Sequence, residues 1–406
     1  MNDLVKQLKP MLEGEELVEA LQVLPEYSYE AKSKSERLIA LLNIYNFFVP
    51  NKATLEAYNY LYLATVASLE NKCTIEEIER LNENFRIIKG KARLGIVGGL
   101  DSFRLTGKAG IGKSATIQRC INVISESNLV RIKKPPRDII PILTVECVSD
   151  GSFKSLLYSV LQEIDNILGS SYLVANKHQT TTVDMLLTAV SNILINHVAV
   201  LVIDETERVA NFSNKGETLM NYLTQLVNQS NVPICFVGNE TCNSYFKNKE
   251  YLARRTIGIS MKPLNFDEDF YHFVKQLMRY QYVLTKAELN SELLRELYSL
   301  SNGIPSVVVA LFIEAQKTAI ISNEECLSVD LIKRVFKEKF ATLHIFLNDL
   351  EEKQRWHREQ AEEPKYKKSK QIKEGRLTSA AKLSGKDLSK MLSLVRDEIN
   401  IEFVKI

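Results

Sequence analysis

The residues best equipped for chemistry form one run, Gly107-Lys108-Ala109-Gly110-Ile111-Gly112-Lys113-Ser114, directly after the strand-like Phe103–Thr106 and at the opening of a helical pattern. Binding a polyphosphate needs a loop that aims several backbone N–H groups at one anion. Side chains obstruct that, which accounts for glycine at 107, 110 and 112. A helix starting at Lys113 adds the positive end of its dipole. In such a loop Lys113 reaches the β- and γ-phosphates of ATP, and the Ser114 hydroxyl ligates Mg2+. The spacing predicts that Gly107 through Ala115, including Lys108, Ala109 and Ile111, cradle ATP.

A second pattern supplies the carboxylates. Val198-Ala199-Val200-Leu201-Val202-Ile203 reads as a strand buried on both faces, and Asp204-Glu205 emerge at its C-terminal end. Ligands of open α/β sheets sit at that end. Asp204 is expected to hold the magnesium through its water shell, and Glu205 to polarise the water that attacks the γ-phosphate. The next strand, Pro233–Val237, runs into Gly238-Asn239. Asn239 either senses the γ-phosphate or simply forms a turn after glycine. Arg254-Arg255 are either surface charges or the arginine that completes a neighbouring subunit's site in ring ATPases.

The elements that must position these groups follow from the periodicity. Residues 1–95 read as a helical N-terminal region, with Ser35–Tyr45 and Thr54–Leu69 separated by Pro50 and Asn51. From about residue 100, Phe103–Thr106, Ile139–Val145, Val198–Ile203 and Ile234–Val237 alternate with amphipathic stretches. That alternation predicts an α/β core over 96–265 with a parallel sheet flanked by helices. Residues 266–345 return to helix as a C-terminal lid, with Phe270–Tyr282, Ser291–Leu300, Ser306–Ala319 and Ser328–Phe340. Ser301-Asn302-Gly303 provides a stop signal. Residues 346–406 form a charged tail. Its stretch 364–390 is basic, with nine Lys and Arg against Glu374 and Asp387, and Met391–Ile406 is apolar enough to bind a partner.

Bulk properties exclude several classes. An apolar fraction of 45% and a charged fraction of 25% are those of a globular protein, and no apolar run approaches the ~18 residues of a membrane span. No membrane is therefore expected as a partner. Six scattered cysteines without CxxC spacing argue against a zinc site or a disulfide framework and fit a cytoplasmic location. A net charge of +2 confines any nucleic-acid contact to local clusters.

In order and spacing the motifs resemble TnsC, the AAA+ regulator of bacterial transposons that move with TnsA and TnsB. The resemblance runs over roughly residues 30–345 and includes FFVP at Phe47–Pro50, the phosphate loop, and ECVSDGSFKSL at Glu146–Leu156. It continues through LVIDE at Leu201–Glu205, ARRTIG at Ala253–Gly258, RYQY at Arg279–Tyr282 and SNGIPSVVVALFIEAQKTAI at Ser301–Ile320. It implies an AAA+ P-loop fold and an ATP-dependent homo-oligomer, ring or filament, on double-stranded DNA. It also implies a link between a TnsD- or TniQ-type target selector and a TnsA/TnsB-type transposase, with hydrolysis controlling disassembly. Basic residues following the second sheet strand would face DNA, which points to Lys154 and then Lys177. The cluster Arg131, Lys133, Lys134 and Arg137 is a rival, or a charged surface loop.

The sequence departs from that family at two places. Thr206-Glu207 follow the acidic pair where an Ile-Gln-like pair is expected, and Ser306 stands where many AAA+ proteins carry a phosphate-sensing arginine. Two other readings stay open. One is an origin-recognition-like, DNA-loading AAA+ ATPase, normally with a helix-turn-helix domain after the lid, for which 346–406 looks too short and too charged. The other is a scaffold locked by nucleotide, against which Glu205 speaks.

Overall fold

The computed structural model describes residues 3–27, 33–72, 102–133, 136–148, 152–210, 216–243 and 256–341. Arg254, Arg255, Lys134 and the tail 346–406 lie outside the described residues. The described strands are β1 Ser102–Gly107, β2 Val130–Lys133, β3 Pro136–Glu146, β4 Val198–Asp204, β5 Ile234–Gly238 and β6 Thr256–Met261. They form a six-stranded sheet in the order β2-β3-β4-β5-β1-β6. Five strands run parallel, and β2 adds an antiparallel edge to β3.

The sheet is covered on both faces, which is why β4 is apolar up to its terminal Asp204 and buried along its length. Alternate residues serve opposite cores. Leu201 and Ile203 pack with Leu157 and Leu161 of the helix Phe153–Leu168 and with Leu187 and Val190 of Val183–His197. Val200 and Val202 pack with Ile117 and Cys120 of the helix Lys113–Ile124 and with Tyr58 and Leu61 of Lys52–Asn71. The last helix begins where Pro50 and Asn51 predicted a break. The Asn51 side chain accepts the Thr54 N–H at 3.0 Å, and the Thr54 hydroxyl oxygen accepts the Asn51 N–H at 3.3 Å.

The N-terminal stretch does not stand apart from the rest. Leu4, Val5, Leu17 and Leu21 complete the core beneath β1, whereas Ala40, Leu41, Ile44 and Phe47 belong to the core of the lid helices. Those helices are Glu268–Leu277, Ser291–Ser301, Pro305–Ser322 and Val329–Lys339. The first is shorter than the expected Phe270–Tyr282. Asp267 caps it early, accepting the N–H groups of Asp269 and Phe270. Beyond it the buried Gln316 side chain takes over, accepting the Tyr282 N–H at 2.7 Å and donating to the Tyr280 carbonyl at 3.1 Å. Asn302, at φ 49°, ends the second helix as expected. Pro305–Ser322 is long and apolar enough by composition to cross a membrane, contrary to the expectation from the sequence. It is nonetheless a core helix, with Val308, Leu311, Phe312, Ala315 and Ala319 buried among its neighbours.

The N-terminal stretch and the lid are also joined by charge. Arg37, 6% exposed, donates to both carboxylate oxygens of Glu325 at 2.7 and 2.8 Å and to the Tyr282 carbonyl at 2.9 Å. Removing one partner strands the other in a site with little water, which costs about 3–5 kcal/mol. Arg37→Ala should therefore lower the unfolding free energy at neutral pH by about 3 kcal/mol in urea titration. Hydrogen bonding from Arg37 holds the Glu325 carboxyl below its ordinary value. A depressed folded pKa contributes stability above the unfolded value and loses it as pH falls through the folded one. The gap between wild type and variant should therefore narrow below about pH 4.3. A gap that stays constant down to strongly acidic pH would contradict this account.

Candidate nucleotide site

The loop Lys108–Gly112 joins β1 to the helix Lys113–Ile124, at the C-terminal edge of the sheet where the sequence placed it. Its backbone requires glycine at two positions: Gly110 has φ 77°, and Gly112, which caps the helix, has φ 99°. A Cβ at Gly110 would lie 2.3 Å from Ser306 Oγ. Ile111 is buried in the core below and anchors the loop. Lys113 Nζ donates to the carbonyls of Gly107 and Lys108 at 3.0 and 3.1 Å, which holds the ammonium over the loop. Ala109, Gly110, Ser114 and Ala115 are exposed, and Lys108 is half-buried.

Beside the loop opens a cavity of about 860 Å³. Its walls come from three parts of the chain: Phe47–Leu55, the loop with Ala115, and the lid with His272, Phe273, Ile304 and Pro305. The loop borders the cavity through Ala109, Gly110, Ile111 and Gly112, and the walls beside it are mostly apolar, so the cavity suits the flat apolar end of a ligand whose phosphates lie on the loop. The sequence motifs do not reveal these walls. The only signals were the aromatic pair Phe47-Phe48 and the Pro50-Asn51 break, which carry no chemistry of their own. The lid touches the loop directly, because the Ser306 N–H donates to the Gly110 carbonyl at 3.3 Å. Ser306, at the position where an arginine was expected, thus contributes its backbone to the loop.

The acidic group stands at the end of β4. Asp204 is 8% exposed, and its Oδ1 accepts the Glu205 N–H at 2.7 Å. Glu205 adopts φ 56°, a left-handed conformation that costs roughly 1 kcal/mol in a residue with a Cβ. Burial, and after it the nearby Glu207, push the Glu205 carboxyl above its ordinary value, while Arg208 pulls it back. The departures at 206 and 207 lace β4 to β5. The Thr206 hydroxyl donates to the Val237 carbonyl at 2.8 Å, and Glu207 Oε2 accepts the Asn239 N–H at 3.1 Å. The Asn239 carboxamide oxygen accepts from the N–H and hydroxyl of Thr241, the turn-forming arrangement that competed with a sensor role.

Lys154 and Lys177 come together although they lie on different elements. Each ammonium is 5.9 Å from the ring centroid of Tyr158, and Lys154 also donates to the Thr181 carbonyl at 2.6 Å. Of the rival cluster, Arg131 and Lys133 lie on β2 and Arg137 on the paired β3. Arg131 pairs through two hydrogen bonds with Asp138 across β2–β3, and Arg137 donates to Asn196 and to the Lys72 carbonyl.

Residues 102–246 match the family model of the AAA domain. The AAA domain match runs from β1 past β5, so it contains the phosphate loop and the acidic strand. Together with the sheet order, it gives the fold as that of an AAA+ P-loop ATPase, α/β with helices on both faces. Compared with curated proteins by sequence, the chain has no significant match. Among solved structures it is similar to the ORC2 protein of Aeropyrum pernix in ADPNP–ADP complexes, at 16% identity over 65% of this chain and 67% of that one, with a TM-score of 0.40. It is similar to a Walker-type ATPase of Pyrococcus abyssi at 17% identity over 69% and 75%, TM-score 0.39. Domain III of the Thermotoga maritima replication initiation protein DnaA is similar at 11% identity over 65% and 92%, TM-score 0.37. Superpositions this loose carry nothing about activity.

Proposed function

We propose that this chain binds and hydrolyses ATP, and that the nucleotide controls its assembly on double-stranded DNA as a regulator of transposition. The observation behind this reading is the three-sided cavity. A nucleotide in the phosphate loop would touch the N-terminal stretch, the core and the lid at once, so its state could be read as shape. The transposition reading adds the ordered sequence blocks resembling TnsC, of which FFVP lines the cavity and ECVSDGSFKSL carries Lys154.

In this reading the chain is organised as an N-terminal region 1–95, an ATPase core 96–265, a lid 266–345 and a partner-binding tail 346–406. Gly107–Ala115 hold the phosphates and Lys113 neutralises them. Ser114 and, through the ion's water shell, Asp204 would hold a magnesium ion. When bound, that ion neutralises charge on the β- and γ-phosphates. Glu205 orients the attacking water and accepts its proton, Asn239 borders the same site, and Arg254 or Arg255 serves the neighbouring subunit. Lys154 and Lys177 contact DNA. A TnsD- or TniQ-type selector and a TnsA/TnsB-type transposase are the proposed partners.

The test is electron microscopy of the full chain with duplex DNA and a non-hydrolysable ATP analogue. Rings or filaments should form only when both are present. A Lys154→Ala/Lys177→Ala variant should assemble at lower salt only, with the slope of log affinity against log salt reduced by about 1.8. Nucleotide-independent assembly would contradict the reading. Single-subunit binding at particular sequences would favour the DNA-loading alternative.

A further inference from the structure

We infer that Ser306 is a positioning residue whose backbone N–H turns the Gly110–Ile111 peptide, so that the Ile111 N–H points at the phosphates of a bound nucleotide. The inference rests on the reading of Gly107–Ser114 as the phosphate site.

Two donors converge inside the loop. The Lys108 carbonyl accepts the Lys113 ammonium at 3.1 Å and the Ile111 N–H at 3.4 Å. The second contact is long, so a phosphate oxygen arriving beside Lys113 takes that donor over at little cost. The N–H and C=O of a planar trans peptide point in opposite directions. The aim of the Ile111 N–H is therefore set by whatever holds the Gly110 carbonyl, and that carbonyl accepts the Ser306 N–H at 3.3 Å. On one side of the peptide, Ile111 is 2% exposed and fixed in the core. On the other, Gly110 has φ 77° and no side chain, so the peptide turns over easily unless it is held.

The lid supplies a rigid holder. Ser306 is the second residue of the helix Pro305–Ser322, whose first residue has no N–H. Its N–H is thus the first that the helix offers, and donors at a helix start have no partner within the helix. Val308, Leu311 and Phe312 seat this helix in the lid core. Its entry is tied to the chain after β6, where the Leu264 N–H donates to the Gly303 carbonyl at 2.9 Å. An arginine at 306 would meet the phosphates itself. The Ser306 N–H acts through the loop, one peptide removed.

The experiment measures ATP affinity of the full chain by calorimetry, and adenosine affinity by competition. The proteins are wild type, Ser306→Ala, Ser306→Pro, Lys113→Ala and a chain with an ester in place of the Pro305–Ser306 amide. Proline is tolerated in a first helical turn and removes the N–H, but it also restricts Pro305 before it. The ester removes the N–H without that restriction and covers the case in which the proline variant misfolds. Ser306→Pro and the ester should each weaken ATP binding about tenfold, the worth of one hydrogen bond to a charged group. Ser306→Ala keeps the N–H and should bind ATP about fivefold more tightly than Ser306→Pro. Adenosine carries no phosphate, so its affinity should move by less than about twofold. A lid that had merely shifted would lose adenosine as well, because the lid walls the same cavity. An ester chain that binds ATP as tightly as wild type, with Lys113→Ala weakened, overturns the inference and leaves the phosphate site standing. Equal losses for ATP and adenosine also overturn it. Wild-type ATP affinity in Lys113→Ala sinks the underlying reading, and this inference with it.

Discussion

Replacing Lys113 by alanine should weaken ATP binding by about two to three orders of magnitude while leaving the protein folded. The ammonium sits over the loop, held by the carbonyls of Gly107 and Lys108, so it is already where a β- or γ-phosphate would arrive. Those carbonyls are acceptors and would repel a phosphate approached without the cation between them. The glycines' N–H groups remain in the variant, but they carry partial charges against a full one. Truncating one member of a desolvated, hydrogen-bonded charge pair costs about 2–5 kcal/mol, which is the basis of the magnitude. Calorimetric titration with ATP, beside a thermal melt without nucleotide, measures both halves of the expectation. An unchanged melt is expected because Lys113 is half-buried at the loop and contributes nothing to the sheet cores. Affinity within tenfold of wild type would remove Lys113 from the phosphates, and DNA assembly with ATP in this variant would break the proposed coupling.

Glu205→Gln should separate binding from turnover. The amide keeps the size of the side chain and leaves Asp204 in place, but it neither accepts a proton nor attracts water as a carboxylate does. A loss of about 10²–10³ in kcat is expected at near-normal ATP affinity, since a positioned base contributes about that much. Assemblies on DNA should also live longer, because hydrolysis is the step proposed to release them. Phosphate-release assays and dissociation of labelled DNA give the two readouts. Full turnover in this variant would show that another group activates the water. Glu207 is not placed to substitute, since its carboxylate is engaged by the Asn239 N–H.

Much of this arrangement was legible where a single segment carries its own signal. β4 is six apolar residues ending in acids and is buried throughout. The phosphate loop declares itself through glycine spacing, and the break at Pro50-Asn51 is a real helix cap. What the sequence hid is what depends on distant partners. β2 escaped because Val130–Lys133 alternates apolar and basic residues, and only pairing with β3 makes it a strand. β6 escaped because Gly258 interrupts Thr256–Met261, and the Arg104 guanidinium packs against that gap. Phe270–Tyr282 keeps helical spacing to its end, yet Gln316 claims the backbone of Tyr280 and Tyr282. The cavity was hidden for the same reason, since its first wall, Phe47–Leu55, and its lid wall are separated by more than two hundred residues of chain.

The straddling N-terminal stretch also has a consequence for biosynthesis. Ala40, Leu41, Ile44 and Phe47 leave the ribosome well before the lid residues they pack against, Phe270 to Phe336, which come more than two hundred positions later. At the usual rate of 5–20 residues per second, these apolar side chains wait on the order of ten seconds or longer for their partners. Phe47 and its neighbours are thus made long before they can be buried. During that interval they are a natural target for chaperones that bind nascent apolar segments. Slower elongation would prolong their exposure, so the yield of folded protein should depend on translation speed more than on the final stability of the lid.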